Sequence, residues 1–298
     1  MTFMEELIKK SSVLVEALPY IQKFRNEIVV VKFGGSAMED PELVKSTMRD
    51  IVLMECIGMR PVVVHGGGKA ITAELSRRKI ETRFINGLRV TDEETILVVD
   101  DVLHNVTNQS LVDAATEAGG HPISISGRSV LTAEKMYAID KETGQKIDIG
   151  FVGDVTDIDN YRLLEALKSR IIPIITPLAR GIDGKVYNIN ADIAACRVAE
   201  KLQARKLVFL SDVPGILRDP QDESSLISTI CTSDVDGMIK DKIISGGMIP
   251  KVQSSIRALE AGTNKVHMID GRVKHSLLLE IFTDSGIGTQ IVKPDSIL

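Results

Sequence analysis

The chain of 298 residues contains no tryptophan, and aromatic side chains make up only 4% of it. Its core must therefore be aliphatic, and Val, Ile and Leu supply it in the short apolar runs that buried parallel strands require. Cysteine is scarce as well: Cys56, Cys196 and Cys231 are odd in number, scattered and without C-x-x-C spacing. This argues against a disulfide framework or a structural zinc site and points to a reducing compartment. The five histidines form no H-x-x-x-H pair. There is no excess of positive charge; the formal net charge is −5, so neither nucleic acid nor an anionic membrane is an expected partner. The start, MTFMEELIKKSS, lacks an apolar signal core, and no segment approaches ~18 uninterrupted apolar residues. A cytoplasmic protein is the expectation.

What is present, in a composition that is 44% hydrophobic, is alternation of strands and helices. EIVVVKF reads as a strand, and DPELVKSTMRDIVLMECIG as a helix with Asp40 as N-cap, Pro41 in the first turn and Gly58 beyond its end. PVVVH and KAITAELSRRK repeat the unit. A helical stretch from Asp92 to Ala118 opens on a Thr91–Glu94 capping box and stops at Gly119-Gly120, before the strand PISIS. Between Gly127 and Val155, SVLTAEKMYAI and QKIDIGFVGDV read as a hairpin around DKETG, at the sheet edge or over its C-terminal end. The alternation resumes with DNYRLLEALKSR, RIIPIIT, ADIAACRVAEKLQA, KLVFLSD, a helix after GGMIPK, KVHMID and GTQIV. The pattern predicts an α/β fold, a three-layer αβα sandwich around a mostly parallel open sheet. Ahead of it, Met4, Leu7, Ile8, Leu14, Val15 and Leu18 share one helical face before Pro19. That helix either lies on its own subunit or is an arm packing against another.

Glycine loops follow the strands. PVVVHGGGKA matches neither common nucleotide motif. G-x-x-x-x-G-K-[ST] fails because Ala70 follows Lys69, and G-x-G-x-x-G fails because Ile71 stands at its third glycine. VVVKFGGSAMED places Lys32 inside an apolar run just before Gly34 and Gly35, where an ammonium needs an anionic partner or an open route to solvent. YNINADIAA sets Asn188, Asn190 and Asp192 at a helix start, and SGGMIPKV repeats the glycine-then-lysine order with Gly246, Gly247 and Lys251. Two lysines and glycine N–H groups at the carboxyl edge of the sheet suit the charge of a phosphoryl group in transfer. No histidine or carboxylate stands in a base motif. A carboxylate acceptor needs none, because it is already an ionised nucleophile.

With these motifs the sequence resembles the amino-acid kinase family, and within it the acetylglutamate-phosphorylating branch. The resemblance covers essentially the whole chain and rests on VVVKFGGSAM, MRPVVVHGGGKAI, FINGLRVTD, GFVGDV, NINADIAA, LSDVPGIL, GGMIPKV and LLLEIFTDSGIGT. It implies that Lys32 and Lys251 neutralise the phosphoryl group, with Asp192 orienting both. It also implies that Gly34 and Gly35 meet the ATP phosphates, and that Gly67, Gly68, Arg89 and Asn188 bind the acyl amino acid. Asp212, Gly215 and Leu217 fall on its nucleotide-side loop. The implied reaction passes the γ-phosphoryl group of ATP, with Mg2+ bridging the phosphates, to the side-chain carboxylate of N-acetyl-L-glutamate. Lys69 and the GRSVLTAEKMYAI hairpin depart from the family pattern.

The N-terminal arm and KVHMIDGRVKHSLLLEIFTDSGIGT resemble the arginine-inhibited members, in which such an arm interlaces dimers into a hexamer, a trimer of dimers. By that resemblance His267, Glu280 and Gly286 form an arginine site, unless Glu280 is an ordinary exposed helical charge. The implied organisation is an arm over residues 1–26 and a kinase domain over 27–298. Its N-lobe, about 27–180, binds the acyl amino acid, and its C-lobe, about 181–298, binds ATP. Another small-acid kinase, of the aspartokinase or glutamate 5-kinase type, and an inactive regulatory subunit are the alternatives. Some relatives bind a PII signalling protein; the sequence does not decide whether this chain does.

Overall fold

A computed structural model describes residues 3–140, 143–283 and 286–296. In chain order the strands are β1 (Ile28–Phe33), β2 (Arg60–His65), the short pair β3 (Phe84–Ile85) and β4 (Leu88–Arg89), β5 (Pro122–Ile125), β6 (Leu131–Ile139) and β7 (Lys146–Ile158). They continue as β8 (Ile172–Ile175), β9 (Leu178–Gly181), β10 (Val186–Ile189), β11 (Lys206–Ser211), β12 (Thr229–Cys231), β13 (Lys265–Asp270) and β14 (Thr289–Val292). The helices are α1 (Phe3–Glu16), α2 (Leu18–Phe24), α3 (Pro41–Cys56), α4 (Gly68–Arg77), α5 (Glu93–Asp101) and α6 (Gln109–Glu117). After them come α7 (Tyr161–Lys168), α8 (Ala191–Lys201), α9 (Val235–Lys240), α10 (Met248–Glu260) and α11 (Ser276–Ile281).

Eight strands form the main sheet in the order β12-β14-β13-β11-β1-β2-β8-β5. All neighbours run parallel except β13 and β14. Side chains alternate between its faces. Val30, Val62 and Val64 join the core under α8 and α10, whereas Val29, Val31, Phe33 and Val63 join the core under α3 and α6. The predicted three-layer architecture is therefore the one observed, with no core aromatic larger than phenylalanine or tyrosine. The same alternation decides where Lys32 points: it shares the face of Val30, towards α8 and α10.

Two local expectations are corrected, and of the two places expected for the hairpin, the sheet edge or its C-terminal end, the second is the one observed. The hairpin of β6 and β7 does not extend the main sheet; with β9 and β10 it closes into a separate four-stranded barrel. Val152 of β7 and Asn188 of β10 face the same cavity as Lys32 and Gly34, so this barrel covers the C-terminal ends of the central strands. The cap of α5 is Asp92, which accepts from the Thr95 N–H at 2.8 Å, not Thr91. Thr91 is held in a backbone bridge to Gly150, which leaves the next residue free to turn onto the helix. Finally, α10 begins at Met248, so Lys251 lies within its first turns instead of ahead of it. The long helix expected from Asp92 to Ala118 is continuous, but Val102–Asn108 is wound as a π-helix between α5 and α6.

The arm is two helices. In α2, Phe24 is buried and Tyr20 meets Phe282 edge to face at 6.3 Å, so this part docks on its own subunit. Helix α1 does not: Phe3, Met4, Ile8, Leu14 and Val15 are all exposed, Leu14 by 74%.

Candidate active site

Three charged side chains meet where β1, α8 and α10 converge. Lys32 is the penultimate residue of β1, and its Nζ lies 3.0 Å from Asp192 Oδ1. Lys251 Nζ donates to Asp192 Oδ2 at 2.9 Å. Asp192 is placed by the helix start itself. The Asn190 side chain caps α8, accepting from the N–H groups of Asp192 at 2.9 Å and Ile193 at 3.2 Å. Burial would push the Asp192 carboxyl up, but the two ammonium groups outweigh it and hold the pKa at about 2. The carboxylate is thus ionised at any working pH, and it keeps two cations together that would otherwise repel.

Beside this triad lies a cavity of about 240 Å³ lined by Lys32, Asp192, Gly34, Gly35, Gly66, Gly67, Gly68, Arg89 and Asn188. Its floor is the first glycine loop. Gly35 has φ +81°, and a Cβ there would stand 2.4 Å from Asp212 Oδ1, so only glycine fits. Asp212, from the loop after β11, accepts from both the N–H and the hydroxyl of Ser36 at 2.7 Å, which ties two strand-end loops together. The second glycine loop packs close against the helix behind it: a Cβ on Gly67 would meet Leu103 Cδ2 at 2.6 Å.

Arg89 closes the acceptor end. Its Nη2 donates to the Gly68 carbonyl and the Thr72 hydroxyl, each at 2.8 Å, and its guanidinium lies 4.8 Å from the Phe84 ring centroid. Nη1 is buried and has no hydrogen-bond partner among the described residues. Burial lowers the Arg89 pKa, though a guanidinium stays charged. Asn188 Nδ2 reaches the Thr91 hydroxyl at 3.3 Å. Among the described residues no three His, Cys, Asp or Glu side chains cluster to hold a metal ion. Asp192 and Asp212 are already engaged, so a magnesium ion arriving with a nucleotide would take its ligands from the phosphates.

The structure brings Lys32, Asp192, Gly34, Gly35, Gly67, Gly68, Arg89 and Asn188 around one cavity, with Lys251 bonded to Asp192 at its edge, and it adds side chains that hold them and that no sequence motif marked. Thr72, one helical turn after Gly68, and Phe84 orient Arg89, and Ser36 anchors Asp212. A hydroxyl just past each glycine loop is the signal that could have found two of the three. Gly215 and Leu217 do not line the cavity. Gly215 packs against Thr289, and Leu217 bridges to Leu226.

His267, Glu280 and Gly286 form a separate cluster. His267 Nδ1 lies 2.5 Å from Glu280 Oε1, and Oε2 accepts from the N–H groups of Ile287 and Gly288 at 2.7 and 3.1 Å. A Cβ on Gly286 would touch the same carboxylate. Glu280 is 5% exposed, which removes the reading of an ordinary surface charge. Burial works to raise its pKa, but His267 and the two N–H groups lower it; burial lowers that of His267. Nearby Lys206, which the sequence reading did not single out, is buried over the Phe24 ring at 4.7 Å, and burial lowers its pKa to about 8.

Residues 27–270 match the amino acid kinase family. An acetylglutamate kinase of Akkermansia muciniphila is 49% identical over 288 residues, 96% of this chain and 97% of that one. One of Heliobacterium modesticaldum is 46% identical over 295 residues, 97% of this chain and all of that one. Among solved structures, the N-acetylglutamate synthase of Neisseria gonorrhoeae complexed with coenzyme A and N-acetyl-glutamate superposes with a TM-score of 0.83 at 27% identity. The match covers 95% of this chain but only 63% of the synthase. The same synthase has also been solved with coenzyme A and L-arginine. On the family match and these near-full-length relatives, the chain belongs to the amino acid kinase family.

Proposed function

We propose that the chain transfers the γ-phosphoryl group of ATP to the side-chain carboxylate of N-acetyl-L-glutamate, giving N-acetyl-L-glutamyl 5-phosphate and ADP in the second step of arginine biosynthesis. One observation carries the reading: a single carboxylate holds two ammonium groups beside a cavity that also presents a buried guanidinium nitrogen with no hydrogen-bond partner among the described residues. The acceptor carboxylate attacks phosphorus and the bond to the β-phosphate oxygen breaks. Lys32 and Lys251 meet the charge on the oxygens in flight, and Asp192 keeps both aimed. Gly34 and Gly35 offer backbone N–H groups to the nucleotide, with Asp212 fixing their loop. Magnesium bound to the ATP phosphates would draw charge off them. Arg89 Nη1 takes the second carboxylate of the acceptor, Asn188 its acetylated end, and Gly67 and Gly68 line its approach. The acetylglutamate kinases among the relatives favour this acceptor over aspartate or free glutamate.

On this reading residues 27–180 form the acceptor lobe, 181–298 the nucleotide lobe, and the enzyme works in the cytoplasm, where its three free cysteines stay reduced. Arginine binds near His267, Glu280 and Gly286 and inhibits; the exposed apolar face of α1 joins subunits into a dimer-based hexamer. Incubated with MgATP, the protein should convert N-acetylglutamate into an acyl phosphate that hydroxylamine traps as a hydroxamate. Product from aspartate or glutamate alone overturns the assignment.

A further inference from the structure

We infer that His65, seated on Asn108, is a positioning residue for the acceptor: one N–H from its ring sets the Gly66–Gly68 loop and, through it, Arg89. The inference deepens the reading of this loop as the acceptor side and rests on it.

His65 ends β2 and is completely buried, as is Asn108 at the end of the π-helical turn. Asn108 Nδ2 lies 2.9 Å from the Ile174 carbonyl of β8 and 3.1 Å from His65 Nε2. His65 Nδ1 lies 2.7 Å from the Gly66 carbonyl. Each link has one permitted polarity. A backbone carbonyl only accepts, so Asn108 must turn its NH2 towards Ile174, and its second N–H then points at Nε2. Nε2 therefore carries the lone pair, the proton sits on Nδ1, and Nδ1–H donates to Gly66. Burial supports this neutral form, lowering the His65 pKa to about 4. With both nitrogens engaged, His65 has no proton to exchange with a substrate, and it does not line the cavity.

The chain of bonds ends where the acceptor would lie. The Gly66 N–H donates to the Phe33 carbonyl at 2.7 Å, and the Gly68 carbonyl receives Arg89 Nη2. The loop is thus held at both ends, with Gly67 between them against Leu103 and Thr107 of the π-helical turn. Releasing the Gly66 carbonyl frees the loop to rotate, and Arg89 is bonded to that loop. The Gly34–Gly35 loop has its own anchor in Asp212. Loss of the His65 bond should therefore fall on the acceptor more than on the nucleotide.

Two substitutions separate the ring nitrogens. In His65→Asn the amide nitrogen stands where Nδ1 stood and keeps a donor to Gly66; in His65→Gln the amide reaches the place of Nε2 and leaves Gly66 without its donor. His65→Asn should keep the KM for N-acetylglutamate within about threefold of the parent, and His65→Gln should raise it about tenfold, the loss of one hydrogen bond. The KM for MgATP should stay within about twofold in both. Equal effects of the two variants on the acceptor, or a MgATP KM that rises as far, overturn the inference. Nitrogen-15 spectra of the histidine rings in the unaltered protein test it without any variant: His65 should be the Nδ1–H tautomer, and an Nε2–H tautomer overturns it. Failure of the unaltered enzyme to phosphorylate N-acetylglutamate would instead overturn the acceptor assignment itself.

Discussion

Asp192 serves two cations at once, and its neighbours separate binding from chemistry. Lys251 touches it from α10, none of whose residues lines the cavity; on the proposed reading its ammonium meets the transferring group without holding either ground-state substrate. Lys251→Ala should lower kcat by about 100-fold or more while the two KM values move little, the pattern of an interaction made in the transition state. Steady-state kinetics with both substrates varied check it. His65 is legible in stability. Its pKa is about 4 in the folded chain against 6.5 unperturbed, because burial disfavours the charged ring. The folded state then binds that proton less readily than the unfolded one. The contribution is whole above pH 6.5, declines as pH falls, and is gone below about 4. Relative to His65→Asn, the unaltered protein should lose on the order of 3 kcal/mol of unfolding free energy across that window. Urea melts at a series of pH values measure it.

At the scale of elements, the polar side chains of the site are placed by the first turn of a helix or the last two residues of a strand. Helix α8 is the clearest case, since Asn190 both caps it and, by fixing its start, aims Asp192. Asn190→Ala should cost about 1 kcal/mol of stability by loss of the cap, and should lower kcat as well because Asp192 is no longer held. Asn190→Ser, which can still cap, should restore most of both; denaturant unfolding and the kinase assay on the same samples report the two effects. The small barrel of β6, β7, β9 and β10 shows what linear pattern conceals. Alternation marked β6 and β7 as a hairpin, yet their partners β9 and β10 lie beyond a helix and a main-sheet strand. Such pairings depend on which edges meet in space, and no local spacing encodes that.

For the whole molecule, the dividing line in the N-terminal arm falls at Ala17. Phe24 and Tyr20 bind α2 to its own subunit, whereas α1 presents Phe3, Met4, Ile8, Leu14 and Val15 to solvent. A contiguous apolar face of this kind marks an interaction surface. Removing residues 1–17 should therefore lower the mass of the assembly in sedimentation or light scattering, leave the kinase activity of each subunit in place and weaken inhibition by arginine. An assembly of unchanged mass would assign α1 to no subunit contact. Among the described residues no helix is long and apolar enough to cross a membrane.

Sequence alone determined the layered α/β architecture, because short β-branched runs bounded by glycine loops and period-3.6 helical patterns are local and alternate regularly along the chain. It also marked Lys32, Asp192, Lys251, Arg89 and the two glycine loops, polar or flexible residues at the ends of apolar runs, which the structure gathers around one cavity. Only the tertiary structure decided who meets whom. Asp192 reaches both lysines because the pleat of β1 turns Lys32 to the α8 face and because α10 starts at Met248, four residues before the Val252 on which a helix after GGMIPK would open. For Glu280 the sequence left open a ligand site or an ordinary exposed charge, and only its burial against His267 of β13 removed the second. His65 ends the valine strand as its sequence indicates, but only Ile174 and Asn108, far away in sequence, fix which of its nitrogens carries the proton. Hydrogen-bond polarity is a property of partners, and partners are chosen by the fold.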